Sequence, residues 1–455
     1  MFTNDNTECS TKISIISQNK FDQWLIKQPL FNKNWCLSNN FKGEKGKIIK
    51  IPYPDGRLKE VIIGEGKNAD LSGISSFSST NIGNYFLSIR FSDSSDLDVQ
   101  KAWAWGQYQS EGKKSQSFLY VKNKEEIKFL KHYSKTLKLS LGLINMPANE
   151  LNPLTFYQKI KKHELFSKFY FKEYSISQIK KNFPLTYAVG KSSNVNPNFL
   201  QVSNKRINKK DKPIVIIGKG VTFDTGGLNI KPGNSMRNMK KDMGGAAISL
   251  SLFLLSSYFL QKSKIVLLIP LAENSISSNA MRPGDIYTSR SGKSVEISHT
   301  DAEGRLLLAD AMELASELNP STIIDFATLT GAARVALGED LPAYFCNDEN
   351  TAKKIEILNQ QKIRCWRLPL YQNYKSKLGS KVADLCNASL DGMAGSITAA
   401  LFIQEFLLSS KTPWVHFDTY AWSSGSILSS KGAALQGLDI MSDFLSKNFS
   451  WLNTF

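Results

Sequence analysis

The chain has 455 residues, of which 42% are hydrophobic and 21% charged. That length corresponds to two or three domains, and the apolar fraction can bury a substantial core without disulfides or structural metals. The 26 Phe and 8 Trp exclude a disordered chain. No uninterrupted apolar run reaches the ~18 residues of a membrane span. The longest candidate, Ala246 to Leu260, is broken by Ser249, Ser251, Ser256 and Ser257. The opening MFTNDNTECSTK has no apolar core, so a secretory signal is not expected.

The formal net charge is +17. Such a balance invites a nucleic-acid or anionic-membrane partner. However, only ten of the 57 basic residues are Arg, the residue suited to bidentate readout of phosphate and guanine. The Lys are scattered through 42–50, 122–138, 159–181 and 205–212. A Lys-rich solvated surface is therefore the preferred reading, and nucleic-acid binding a secondary one. Cys9, Cys36, Cys346, Cys365 and Cys386 are odd in number, widely spaced and free of any CxxC. They suggest neither a disulfide framework nor a thiolate zinc site, and a reducing cytoplasm is the expected compartment. With four His and no HExxH, any metal here must rest mainly on carboxylates.

Along the first 140 residues, Ser-rich turns separate short apolar runs such as Val61 to Ile63 and Tyr85 to Ile89. A charged stretch from Lys122 to Lys138 leads into LGLINMPANELNP, where Asn145, Pro147, Asn149 and Pro153 punctuate the chain. The pattern predicts a domain boundary near 140. From about 180, strand-like runs alternate with helical segments. Pro213 to Gly218, Ile265 to Leu271, Val295 to Ser298, Thr322 to Phe326 and Val415 to Phe417 read as buried strands. Gly244 to Leu260, Glu303 to Leu318 and Ser396 to Leu408 read as helices. This alternation predicts an α/β domain with a mixed, largely parallel sheet. Ligands of such sheets sit beyond the carboxyl ends of the strands.

Polar residues collect after several of those strands. PIVIIG is followed by KGVTFDTGGLNIKPG, with Lys219, Asp224 and Lys231. KKDMGG places Asp242 before the helix at 244, and HTDAEGR brings Asp301, Glu303 and Arg305. Four converging carboxylates would repel one another and be costly to desolvate. Two divalent cations would neutralise them, and an oxygen-rich set favours Zn²⁺, Mn²⁺ or Mg²⁺. A dinuclear site suits hydrolysis of an amide or a phosphoester. Each residue also has a plainer explanation. Asp224 precedes Gly226 and Gly227 as a turn aspartate would. Asp242 could cap the following helix, and Thr300 with Glu303 spells a capping box. Lys219 could be a snorkelling surface lysine and Arg305 an ordinary helix residue. The case for a site rests on their joint appearance at matching strand ends. His299 reads as a residue that orients the backbone rather than a metal ligand, and Asp384 has no derivable role. A GxSxG elbow, a GxxxxGK[ST] loop and a GxGxxG fingerprint are all absent.

Several long segments resemble one family. TDAEGRL (Thr300 to Leu306), GKGVTFDTGGLNIKP (Gly218 to Pro232) and MKKDMGGAA (Met239 to Ala247) are similar to the metal-site segments of the dinuclear-metal leucyl aminopeptidases. INMPANEL (Ile144 to Leu151), FATLTGAARVALG (Phe326 to Gly338) and DGMAGSITAALFIQEF (Asp391 to Phe406) match further blocks. The resemblance covers roughly 140 to 440. It implies a smaller N-terminal α/β domain over 1–140 and a catalytic α/β domain over 141–455, in a cytoplasmic homohexamer acting on peptides. It also implies two Mn²⁺ or Zn²⁺ ions on Lys219, Asp224, Asp242, Asp301 and Glu303. Lys231 would polarise the scissile carbonyl, and Arg305 would hold a bicarbonate as general base towards a bridging hydroxide. Met239, Thr328 and Gly331 would line the pocket for an uncharged first side chain such as Leu or Met. The family signature normally has Asn where His299 stands.

Overall fold

The computed structural model describes residues 1–4, 11–108, 116–360, 362–425 and 432–449; Cys9 lies outside them. The chain divides into two compact units. One comprises Met1–Leu139 with Ser424–Gly432, the other Ser140–Ser423 with Ala433–Phe455.

The first unit is built on β1 (Phe2–Thr3), β2 (Thr11–Ser17), β3 (Ile48–Pro52), β4 (Leu58–Gly66), β5 (Gly83–Phe91) and β6 (Ser117–Tyr120). Their order is β1-β6-β5-β2-β4-β3. All neighbours run parallel except the edge strand β3. Helices cover the connections, as parallel pairing demands. Ile13, Ile15 and Ile16 of β2 and Val61, Ile62 and Ile63 of β4 are buried, as expected of central strands packed on both faces.

The second unit carries a nine-stranded sheet. Its members are β7 (Tyr170–Lys172), β8 (Asn198–Ser203), β9 (Ile214–Gly218), β10 (Gly220–Asp224) and β11 (Ile265–Asn274). A small separate sheet holds β12 (Ile286–Thr288), β13 (Ser294–Glu296) and β17 (Leu385–Cys386). The large sheet is completed by β14 (Thr322–Ala327), β15 (Ala343–Cys346), β16 (Trp366–Arg367) and β18 (Trp414–Asp418). The run β18-β14-β9-β11 is parallel, and β10 joins β11 in the same sense. The outer pairings β15-β18, β11-β8 and β7-β8 are antiparallel. The sheet is thus mixed with a parallel centre. One predicted strand belongs elsewhere: the run at Val295 pairs in the small sheet, because only Val295 of its three residues is buried and it cannot serve as a strand packed on both faces.

Helix Gly244–Phe259 is apolar nearly all round and buried from Gly244 to Ser256, the signature of a helix enclosed by its own fold. Together with the preceding 3₁₀ turn it makes a 21-residue apolar stretch, Met239–Phe259, long enough to cross a membrane by length and composition, but 83% of its apolar window is buried in this protein. Helix Gly304–Glu317 is buried from Gly304 to Ala315. The chain enters both helices close to the carboxyl ends of the central parallel strands, and that placement assembles the site.

Candidate metal centre

Each strand end of the parallel centre contributes a polar side chain. Lys219 follows β9 directly, Asp224 ends β10, Asn274 ends β11, Thr328 follows β14 and Asp418 ends β18. Asp242 comes from the 3₁₀ turn Met239–Met243, while Asp301 and Glu303 precede helix Gly304–Glu317. Carboxylate oxygens of Asp224, Asp242 and Glu303 lie within 4.8 Å of one another, and all three residues are buried.

Two lysines sit among these acids. Lys219 Nζ is 2.8 Å from Asp242 Oδ2 and 3.0 Å from Glu303 Oε1, and donates to the Thr328 carbonyl at 2.9 Å. This approach needs a glycine at 304, where an added Cβ would stand 2.4 Å from Lys219 Cε. Lys231 Nζ is 2.7 Å from Asp224 Oδ2 and also pairs with Asp301. Asp224 Oδ1 accepts from the Gly226 N–H and from Asn274 Nδ2, both at 2.8 Å. Thr328 Oγ1 lies 2.8 Å from both Asp242 Oδ1 and the Asp242 carbonyl.

The electrostatics are unbalanced. Burial, reinforced by Asp224, pushes the Glu303 carboxyl up to about 8. Burial and the same neighbour push Asp301 up to about 6. For Asp242, burial acts upwards but Lys219 and Lys241 outweigh it, and the net direction is down. Burial pulls Lys219 and Lys231 down, yet the surrounding carboxylates hold both above the ordinary lysine range. Among the described residues only two lysines, Lys219 and Lys231, form direct ion pairs with these four crowded carboxylates. Among the described residues, Asp242 Oδ2 and Glu303 Oε1 are buried without a well-aligned hydrogen bond, and the Lys219 ammonium stands 2.8 and 3.0 Å from them. Such a set fits divalent cations bound through oxygen and, once deprotonated, the Lys219 amine.

Arg305 is buried beside this set, and burial lowers its guanidinium to about 10. Nη1 donates to the Asn387 carbonyl at 2.8 Å, while Nε has no partner among the described residues. Of the predicted pocket residues, Thr328 touches Asp242, Met239 begins the 3₁₀ turn and Gly331 begins helix Gly331–Leu337. His299 is exposed, and its Nδ1 accepts the Asp301 N–H at 3.2 Å.

Some plainer readings of the motifs are corrected. Glu303 makes no capping hydrogen bond; the Thr300 hydroxyl instead donates to the Gly226 carbonyl and accepts from the Asn229 N–H. Asp242 does not cap the following helix, whose N-cap is Met243. In both cases the carboxylate is instead paired with the Lys219 ammonium, a charged contact that outweighs a single cap. Asp224 does form its turn, through the Gly226 N–H, with one oxygen while offering the other to the cluster. Asp384 accepts from the N–H and hydroxyl of Ser294, tying the β17 segment to β13. Asn274 and Asn387 were not evident from sequence, because a lone Asn after an apolar run looks like an ordinary loop residue. Asn387 holds the signature loop by accepting from Ser298 N–H and donating to the His299 carbonyl.

Comparison with known proteins identifies the family and the fold. Residues 138–440 match the profile of the cytosol aminopeptidase family, catalytic domain, and residues 11–122 match the M17 aminopeptidase N-terminal domain. A probable cytosol aminopeptidase of Legionella pneumophila is 42% identical over 288 residues, which is 62% of this chain and 59% of that relative. The crystal structure of a cytosol aminopeptidase from Coxiella burnetii superposes with a TM-score of 0.88 at 33% identity, covering 98% of this chain and 99% of that one. A bottromycin maturation enzyme in complex with Mn superposes with a TM-score of 0.83 at 25% identity, over 96% of this chain and 99% of that one. Both domains are therefore accounted for together, and the chain belongs to the cytosol aminopeptidase family.

Proposed function

We infer that this protein is a metal-dependent aminopeptidase that removes the first residue from peptides. The observation that carries the reading is the buried triad Asp224, Asp242 and Glu303, with Asp301 beside it, directly paired with only two lysines among the described residues. Lys219, Asp224, Asp242, Asp301 and Glu303 would hold two divalent ions, Mn²⁺ or Zn²⁺. Bound there, the ions would supply an activated shared water, the bridging nucleophile, and a Lewis acid for the carbonyl oxygen.

The protein's own groups do the rest. Lys231 keeps its proton among the carboxylates and is the donor for the negative charge that grows on the carbonyl oxygen, a preorganised contribution of the kind that dominates many rate enhancements. The free Arg305 Nε suits a bicarbonate serving as general base. Met239, Thr328 and Gly331 would receive an uncharged first side chain such as Leu. The fold reading keeps 1–140 as the N-terminal domain and 141–455 as the catalytic one, in a cytoplasmic homohexamer whose mass light scattering would report. The direct test is release of Leu from a Leu-anilide with added Mn²⁺ or Zn²⁺. Asp301→Ala and Lys231→Ala should abolish turnover with the circular dichroism spectrum unchanged. Wild-type rates in either variant would overturn the assignment.

A further inference from the structure

Lys241 carries a charge that the reaction above does not use. It stands between Met239 and Asp242 and is 5% exposed. Its neighbours Lys219, Lys231, Lys240 and Arg305 each hold a carboxylate or a carbonyl. Among the described residues the Lys241 ammonium makes no direct ion pair or hydrogen bond of this kind; Asp242 acts on it only at longer range, and it faces the ring of Tyr420, 4.6 Å from the centroid. Arg334, exposed and one helical turn beyond Gly331, also places its guanidinium carbon 4.6 Å from that centroid. No carboxylate pairs with Arg334 among the described residues either.

The ring is held in place by the backbone that follows it. Ala421 adopts a left-handed conformation, φ 53°. A Cβ added to Gly244 would come within 2.1 Å of the Ala421 side chain, so this segment is pressed against the start of helix Gly244–Phe259. Burying an ammonium without a directly paired anion is costly. The face of a tyrosine returns part of that cost, but here one ring serves two cations that repel each other. An anion arriving at Tyr420 would relieve both. Contacts in space connect this spot to the proposed pocket residues. A Cβ at Gly244 would meet both Ala421, next to Tyr420, and Thr328, at 2.1 and 3.4 Å, and Thr328 is hydrogen-bonded to Asp242, the residue next to Lys241.

We propose that Lys241, Arg334 and Tyr420 form an anion-accepting wall of the first-residue pocket, so that the enzyme also cleaves peptides that begin with Glu or Asp. The inference rests on the aminopeptidase reading and widens its substrate range. Apolar first residues pack on Met239 and Thr328, while an acidic one extends its carboxylate to Lys241.

The decisive measurement is kcat/KM for Glu-anilide against its neutral isostere Gln-anilide, with Leu-anilide as reference. The wild-type enzyme should turn over Glu-anilide at least as well as Gln-anilide. Lys241→Met and Arg334→Leu should each lower the Glu/Gln ratio, the former by roughly tenfold or more, as expected for a charged hydrogen bond. Arg334 is exposed, so its variant carries the test if Lys241→Met fails to fold. A wild-type enzyme that rejects Glu-anilide, or a ratio unmoved by both substitutions, overturns the proposal. A second arm compares Leu-Leu with Leu-Leu-amide. If the substitutions change that ratio and leave Glu/Gln unchanged, the wall reads the terminal carboxylate of dipeptides and the proposal is wrong about the source. No turnover of any anilide with Mn²⁺ or Zn²⁺ would sink the aminopeptidase reading instead.

Discussion

Two buried charge clusters lie in the same parallel sheet, and they are built in opposite ways. At the carboxyl ends of the strands, four carboxylates share two lysines, and among the described residues Asp242 Oδ2 and Glu303 Oε1 accept no well-aligned hydrogen bond. In the middle of β14 and β18, a single carboxylate is fully served. Asp325 Oδ2 accepts from Trp414 Nε1 at 2.6 Å, and Oδ1 lies 2.6 Å from His416 Nδ1. Asp325 and His416 are 0% exposed. Burial acts to lower the His416 pKa, but Asp325 outweighs it and the net direction is up. The inner carboxylate is met by an indole N–H on one oxygen and an imidazole on the other, as a structural interaction requires. In the outer cluster, four carboxylates have only two directly paired lysines among the described residues. Burial of charge alone does not mark a site; burial without balance does.

The comparison can be broken in several ways. The largest effect is expected at the unbalanced cluster. Glu303→Ala should lower kcat/KM by roughly a thousandfold or more, since on the proposed reading it removes a group that would hold a metal ion where charge develops. A loss under tenfold on a Leu-anilide would remove Glu303 from the site. At the balanced cluster the damage should fall on stability. Asp325→Ala leaves a buried imidazole with its partner gone and should cost about 3–5 kcal/mol in urea unfolding. Metal should act on the outer cluster only. Mn²⁺ at a thousand times its Kd should stabilise the chelator-stripped protein by about 4 kcal/mol, and Asp242→Ala should reduce that gain while Asp325→Asn should not.

A smaller effect concerns pH in the metal-free protein. Glu303 has a folded pKa of about 8, above the ~4.3 of an unfolded chain. The folded state therefore binds the extra proton between those values. The stability Glu303 contributes is complete below about pH 4.3 and is lost as pH rises towards 8. Glu303→Gln should flatten that part of the curve of urea midpoint against pH. His416 has the same sign: its contribution is present below ~6.5 and is lost as pH rises through its elevated folded value. The smallest change is expected at an exposed pair. Lys128 and Glu125 lie 2.6 Å apart, with both side chains 65% exposed, so Lys128→Ala should shift stability by less than about 0.5 kcal/mol.

Much of this was legible without coordinates. The runs IVIIG and TIIDFA are short continuous apolar segments rich in β-branched residues, the length and composition of a strand packed on both faces. Lys219 and Asp224 are legible because they follow the apolar run IVIIG, where a parallel sheet opens to ligands, whereas Asp242, Asp301 and Glu303 come from the turns that enter two helices. The short run at Val295 was harder to place. Its strand character was readable, but its sheet depended on β12 and β17, the latter about ninety residues further along. The capping-box pattern at Thr300 and Glu303 misled for a related reason. A local motif states what a side chain can reach in its own segment, whereas Thr300 bonds Gly226 and Asn229, some seventy residues away.

The +17 charge illustrates the same division. Composition determined that the surface is rich in Lys, and the motifs determined the family, the parallel-centred α/β fold and the identity of the acidic residues, because these depend on residue type and short spacing. Only the tertiary structure decided which charges are paired. Lys219 and Lys231 are enclosed by carboxylates, whereas Lys241, one residue from Asp242, is turned to Tyr420 instead. Adjacent residues in a tight turn point in different directions, and what each meets is set by segments brought in from elsewhere in the chain. Pairing is a property of distance in space, and on that scale a sequence carries no ruler.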